Sequence, residues 1–277
     1  MKRKLVYFGT DVFFDCFLRL AEEAEILALY TYHNDEDYFT EYRIVKEAAR
    51  RGIPVHYGRI PEARVRRYFQ EEGCDFFFSA EYGYIIPVPE DLGIFRGVNV
   101  HSSYLPEGRG YYPIEGALER GLDATGVTMH SLAPVFDNGD ILFQEPIALS
   151  SSVDSVDVYL KSAAAALKMT ERLIADFDGC WARCTRQRAL PPAWAKPPEA
   201  KRLLTHALTL DEAREIFRRY NKMTLVELGG ERAFVTSLSA GSAPLSVPEI
   251  PVAGGHWLYR VSDGHLRLTT LVGKGKK

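Results

Sequence analysis

The chain reads as an α/β protein: a Rossmann-like, mostly parallel sheet flanked by helices, with a small C-terminal α+β or β-rich unit. Three observations predict this. Short apolar β-prone runs alternate with helix-patterned segments from the first residues onward. Two proline pairs, Pro191-Pro192 and Pro197-Pro198, interrupt the chain after its longest helical pattern. Beyond them, strand-like runs surround a Gly/Pro/Ser-rich loop. The expected units are a core over 1–190 and a linker with a small subdomain over 191–277.

In order, residues 5–8 form a strand closed by Gly9-Thr10, and Phe14, Phe17, Leu18 and Ala21 then fall at helical spacing. Residues 26–32 give a second strand. A helix over 42–51 stops at Gly52 with Pro54 just beyond, and another over 62–72 stops at Gly73. Strands follow at 76–79 and 98–101, then a helix at 113–120. Strands at 127–131 and 141–143 enclose the turn-rich run 136–140. Val156, Tyr159, Leu160, Ala163, Ala164 and Leu167 trace one face of the longest helix, which continues through Leu173, Ile174 and Phe177. The C-terminal unit predicts a capped helix at 209–220, strands at 232–238, 257–261 and 266–271, and a solvated tail, GKGKK.

Composition excludes several classes. With 277 residues, 46% hydrophobic and 26% charged, the chain is globular rather than disordered. Its 34 Lys+Arg against 37 Asp+Glu, net -3, leave no whole-chain basic field for nucleic acid or anionic membrane. Asp11 and Asp15 interrupt what a signal peptide would keep uncharged, and no apolar run reaches the ~20 residues that cross a bilayer. A cytoplasmic location is expected. Cys16, Cys74, Cys180 and Cys184 are too scattered for a disulfide scaffold, and Cys180 and Cys184 are expected as interior thiols, with no metal.

In a doubly wound sheet, ligands sit beyond the carboxyl ends of the strands, so Gly9-Thr10, the segment after Ser79 and the segment from Asn99 are expected to share one cleft. The densest chemistry is NVHSSYLPEGRG, residues 99–110. Asn99 and His101 alternate onto one side of a strand as it enters a Gly/Pro-rich loop. An Asn amide can stabilise an oxyanion and a His can move a proton, both needed in acyl transfer. By spacing alone the structural reading is favoured: a strand-end Asn completes turns, and a lone His is more often a satisfied packing residue. Asp137 shifts the balance, because its loop can bring a carboxylate to His101. The competing reading is an Asx turn in Asp137-Asn138-Gly139.

At this point the residues resemble the 10-formyltetrahydrofolate-dependent formyltransferases. That family carries Asn-x-His, a following Ser-Leu-Leu-Pro segment and a later Asp-x-Gly-Asp. Here they stand as Asn99-Val100-His101, Ser103-Tyr104-Leu105-Pro106 and Asp137-Asn138-Gly139-Asp140, with Asp137 at the family's 36-residue distance from His101. The resemblance covers roughly residues 1–185, with RGYYPIEGAL, GVTMH, FGT and AEYGYIIP as further matches; Tyr104 and Glu81 depart from the family's usual Leu and small residue.

The resemblance implies a primary amine attacking the formyl carbon directly, tetrahydrofolate leaving, and no metal. Asn99 and protonated His101 would stabilise the oxyanion, and Asp137 would orient or charge His101 and help relay the amine's proton. Tyr82, Gly83, Tyr84, Ile85, Ile86, Asn138 and Asp140 would hold 10-formyltetrahydrofolate. Phe8, Gly9, Thr10, Ser103, Arg109 and Gly110 would face the substrate, with Arg109 weighed equally between a phosphate and a nearby carboxylate. Tyr111, Tyr112, His130 and Trp257 are read as pocket or interface aromatics, packing being at least as good an account.

Methionyl-tRNA formyltransferases add a larger basic barrel, whereas residues 200–277 are short and the chain slightly acidic. The expected acceptor is therefore a UDP- or dTDP-linked 4-amino sugar, as for the sugar N-formyltransferases, in a pseudaminic-acid-type or other surface-glycan pathway. Met-tRNA and a carrier-bound aminoacyl group are the alternatives. No nucleic-acid or membrane partner is expected, and a homodimer stays open.

Overall fold

The computed structural model describes residues 2–33, 42–93, 95–241, 243, 245–252 and 254–272. The GKGKK tail lies outside them. The first unit runs β1 (Lys4–Gly9), α1 (Phe14–Glu23), β2 (Glu25–Thr31), α2 (Tyr42–Arg50), β3 (Val55–Tyr57), α3 (Glu62–Gln70), β4 (Phe76–Ala80), β5 (Gly97–His101), α4 (Pro113–Glu119), β6 (Ala124–Ser131), β7 (Ile141–Ala148), α5 (Ser155–Ala175) and α6 (Phe177–Ala182).

Alternation along the central strands sets the layers. On β1, Leu5 and Tyr7 enter one core with α1, α2 and α5, while Val6 and Phe8 enter another with α3. A strand buried on both faces reads as a continuous apolar run, as 5–8 does. The strand order is β3-β2-β1-β4-β5-β6-β7. Pairing is parallel as far as β5 and antiparallel for β5–β6 and β6–β7. β3 was not foreseen: three residues after Pro54 are too few to show a period.

Helix α5 corrects one expected face. Tyr159, Ala163, Leu167, Leu173 and Ile174 pack inward as expected, but Val156 and Leu160 stand in solvent, and Ser155, Val158, Ser162, Ala165, Ala166, Met169 and Thr170 are buried as well. Small side chains let the helix lie close on its neighbours, so the stripe of larger apolar residues misleads in part. Asp154 caps the helix by accepting the Asp157 N–H at 2.8 Å.

The second unit contains β8 (Leu203–Leu204), α7 (Leu210–Tyr220), β9 (Leu225–Leu228), β10 (Glu231–Gly241), β11 (Glu249–Val252), β12 (His256–Val261) and β13 (Gly264–Val272). They form a six-stranded sheet, β11-β12-β13-β10-β9-β8, with Ala213 of α7 buried among Val226, Val235, Leu266 and Leu268. The predicted cap of α7 is a capping box: Thr209 Oγ1 accepts the Glu212 N–H, and Glu212 accepts the Thr209 N–H. The unit docks on the core where the Tyr220 hydroxyl reaches Glu119 at 3.2 Å and Arg218 donates to the Val153 carbonyl. Among the described residues, no helix is long and apolar enough to cross a membrane.

Candidate functional site

The sheet order reverses between β1 and β4, and a cleft of about 600 Å3 opens beyond the strand ends there. On β5, Val98 and Val100 point into the core, so the period of two sends Asn99 and His101 to the opposite face, into the cleft. Antiparallel β6 sets His130 directly across from Asn99, with Val127 and Met129 inward.

These side chains form one polar cluster. His101 Nε2 donates to the Gly108 carbonyl at 2.8 Å, leaving Nδ1 facing Asp137 Oδ1 at 3.8 Å. His130 Nδ1 donates to the Ser131 carbonyl at 2.8 Å. Its Nε2 lies 3.3 Å from Asn99 Nδ2 and 3.7 Å from the same Asp137 Oδ1. The other carboxylate oxygen of Asp137 accepts the Gly110 N–H at 2.9 Å. Burial alone would push the Asp137 carboxyl upward. The charge of His101, the hydrogen bond and charge of His130 and the Gly110 N–H outweigh it and hold the group at about 2. Asp137 is therefore a fixed anion beneath two imidazoles.

Three residues at the rim carry positive φ without being glycine: Glu81 (53°), Tyr112 (52°) and Asp137 (49°). Such backbone persists only where surrounding contacts impose it. At Asp137 the loop is gripped from outside the core. Gln187 Nε2 donates to the Asp137 carbonyl at 3.0 Å and to the Gly139 carbonyl at 2.8 Å.

Arg109, weighed equally between a phosphate and a nearby carboxylate, donates to two carbonyls here. It is buried, donating to the Phe136 carbonyl at 2.6 Å and the Pro191 carbonyl at 2.9 Å, so its guanidinium ties two segments together rather than facing a phosphate. Ser103 is likewise engaged, donating to the Glu107 carbonyl at 2.7 Å inside its own loop. Gly110 alone of that group lines the cleft. Phe8 is wholly buried, stacked on Tyr30, and Thr10, two residues on, is buried too. Gly9 packs so tightly on the Ala80 carbonyl that a Cβ would collide with it. None of the three lines the cleft, and Phe8 backs it through its contact with Tyr82.

Tyr82, Gly83, Tyr84, Ile85 and Ile86 all border the cleft. Tyr82 donates to the Gly58 carbonyl and packs on Phe8, Tyr32 and Tyr84, which fixes this wall. Ile85 is 69% exposed, leaving apolar surface for a flat ligand to cover. Asn138 and Asp140 do not join them. They border a separate groove of about 680 Å3 behind the loop, with Arg186 and Arg188. Asp140 accepts a weak contact from the Cys184 thiol at 3.8 Å, and Cys180 is buried against the Arg172 carbonyl.

Sequence reasoning gave His130 no electrostatic role. The polar alternation Thr128, His130 against Val127, Met129 would have exposed it. Gln187, Tyr159 and Lys196 were also missed; the last two line the cleft from α5 and from the proline-rich linker. Nothing local marks them, since their placement depends on the chain folding back. Trp257, weighed between a pocket or interface aromatic and a packing residue, packs half-buried against the second unit's core.

The family model described as formyl transferase matches residues 34–172 of this chain. A methionyl-tRNA formyltransferase of Chromobacterium violaceum is 28% identical over 200 residues, 68% of this chain and 65% of that protein. The chain thus spans just under two thirds of that relative. In structure, the N-formyltransferase of Helicobacter canadensis, in complex with folinic acid and dTDP-3-aminofucose, superposes with TM-score 0.60 at 13% identity. It covers 98% of this chain and 100% of its own. HypX from Aquifex aeolicus in complex with tetrahydrofolic acid has TM-score 0.70 at 13% identity, covering 97% of this chain and 44% of its own.

Proposed function

From the premise that this chain belongs to the formyl transferase family, we propose that it moves a formyl group from 10-formyltetrahydrofolate to the primary amine of a nucleotide-linked amino sugar. The observation that carries the reading is the convergence of Asn99, His101, His130 and Asp137 at the head of one cleft. The sugar acceptor is favoured by the match over the whole length of both chains to an enzyme whose structure holds a dTDP-amino sugar, and by the net charge of -3.

In this reading the acceptor nitrogen bonds to the formyl carbon as the bond to folate N10 breaks; the nitrogen loses a proton and N10 gains one. Asn99 Nδ2 carries two N–H donors, and one of them meets the developing oxyanion. His101, its Nε2 spent on Gly108, works through Nδ1. Asp137, held at about 2, is too weak a base to keep the amine's proton, so it stabilises positive charge on the imidazoles while an imidazole moves the proton. The folate ring would lie against Tyr84, Ile85 and Ile86, a wall whose apolar surface and main-chain groups suit a flat heterocycle.

A Met-tRNA acceptor is the second reading, favoured by the names of the curated relatives. One experiment separates them: tetrahydrofolate release from 10-formyltetrahydrofolate with UDP- and dTDP-linked amino sugars, Met-tRNA, and carrier-bound amino acids. Release with one sugar, matched by a mass gain of one formyl group, is the expected result. Efficient formylation of Met-tRNA with silence on every sugar would overturn the sugar assignment.

A further inference from the structure

The Gly108–Tyr111 loop supplies two of the cluster's fixed partners, the Gly108 carbonyl for His101 and the Gly110 N–H for Asp137. Both glycines have positive φ, 75° and 104°. Such a loop does not hold itself. What holds it comes from the linker more than 80 residues further on. The Trp194 N–H donates to the Arg109 carbonyl at 2.6 Å, and the Tyr111 N–H donates to the Trp194 carbonyl at 3.0 Å, a parallel bridge centred on Gly110.

The indole of Trp194 anchors this strap. Its ring lies under the Arg120 guanidinium, 4.0 Å from the centroid, and fills the space that the missing side chain of Gly116 leaves on α4. A Cβ on Gly116 would strike the ring, and one on Gly110 would strike the Trp194 main chain. Trp194 does not itself line the cleft. We infer that Trp194 is a positioning residue for formyl transfer: by clamping Arg109–Tyr111 it sets the distances from His101 to Gly108 and from Asp137 to Gly110. Gly116 is the socket that admits it.

Misplacing a catalytic group by about 1 Å costs on the order of a hundredfold in rate. The test compares Trp194→Ala, Trp194→Phe and Gly116→Ala with the parent full chain, by hydrogen exchange over residues 108–112 and by steady-state turnover. In Trp194→Ala, exchange of the Gly110 and Tyr111 amides should speed up about tenfold or more. Turnover should fall about ten- to a hundredfold with KM for folate within about twofold. Trp194→Phe should restore part of both. Gly116→Ala should reproduce both defects although alanine is the better helix former, and it keeps the test alive if Trp194→Ala does not fold. Unchanged exchange at Gly110 and Tyr111 in the folded variants would overturn the inference, as would faster exchange with full turnover. The kinetic arm rests on the formyl-transfer reading. The exchange arm does not, so a silent enzyme with the predicted exchange pattern would count against that reading and leave the clamp standing.

Discussion

Asp137 Oδ1 lies 3.7 Å from His130 Nε2, as near as it lies to His101 Nδ1 at 3.8 Å. The carboxylate thus serves two imidazoles, and His130 also faces the Asn99 amide at 3.3 Å. Replacing His130 should therefore disturb both the anion and the oxyanion donor. His130→Ala is expected to cost about ten- to a hundredfold in turnover, and His101→Ala about a hundredfold or more. Tetrahydrofolate release under saturating donor measures both, and parental turnover in His130→Ala would remove that residue from the site.

Asp137 contributes stability through its charge. Its carboxyl is held at about 2 in the folded chain against 3.8 ordinarily, so the contribution is complete above pH 4 and is lost as pH falls through about 2. Asp137→Asn has no such titration. The stability gap between the two, followed by urea midpoints, should be widest near neutrality and shrink between about pH 4 and pH 2. A gap constant with pH would deny the charge its part.

Arg109 makes a prediction opposite in kind to that of a substrate-binding arginine. Its planar fork bridges Phe136 and Pro191, a geometry a lysine cannot copy. Arg109→Lys should lose about 1–3 kcal/mol of stability and loosen the Asp137 loop. KM for a phosphate-bearing acceptor should stay nearly unchanged while kcat falls. A rise in KM alone, with melting unaltered, would return Arg109 to the phosphate.

The capping box of α7 fixes the start of the helix whose far end docks on the core. Thr209→Ala removes the side-chain acceptor for the Glu212 N–H and should lower stability by about 1 kcal/mol. Thr209 sits in the second unit, away from the cluster, so turnover at 25 °C should remain close to parental. Thermal unfolding and a single-turnover assay read the two halves of that statement.

Much of this was readable in the chain because strands have a period of two. Val98 and Val100 declare the inner face of β5, which leaves Asn99 and His101 together on the other. The same rule applied to Val127 and Met129 points to His130, whose role needed only the register of β6 on β5. The α5 face was legible in part: Leu167 and Leu173 pack inward, but Leu160 is 65% exposed while Ser162 and Ala166 are fully buried, since small side chains also face the core. Asn138 and Asp140 look inseparable from Asp137 in sequence. Asp137 lines the cleft while Asn138 and Asp140 line the groove behind it, a division inside an irregular loop that no periodicity records. Arg109 was undecidable, since its partners, Phe136 and Pro191, are 27 and 82 residues away.

The proline-rich stretch looks like a seam between two units, yet its middle is stitched into the first. A recombinant cut at residue 190 would hand the core to a new C-terminal unit without Trp194 or Lys196, whereas a cut at Pro197 would carry both across. Exchange of C-terminal units should therefore keep the Trp194 bridge on one side only of a boundary a few residues wide. The core's apparent modularity ends where its own chemistry borrows from downstream.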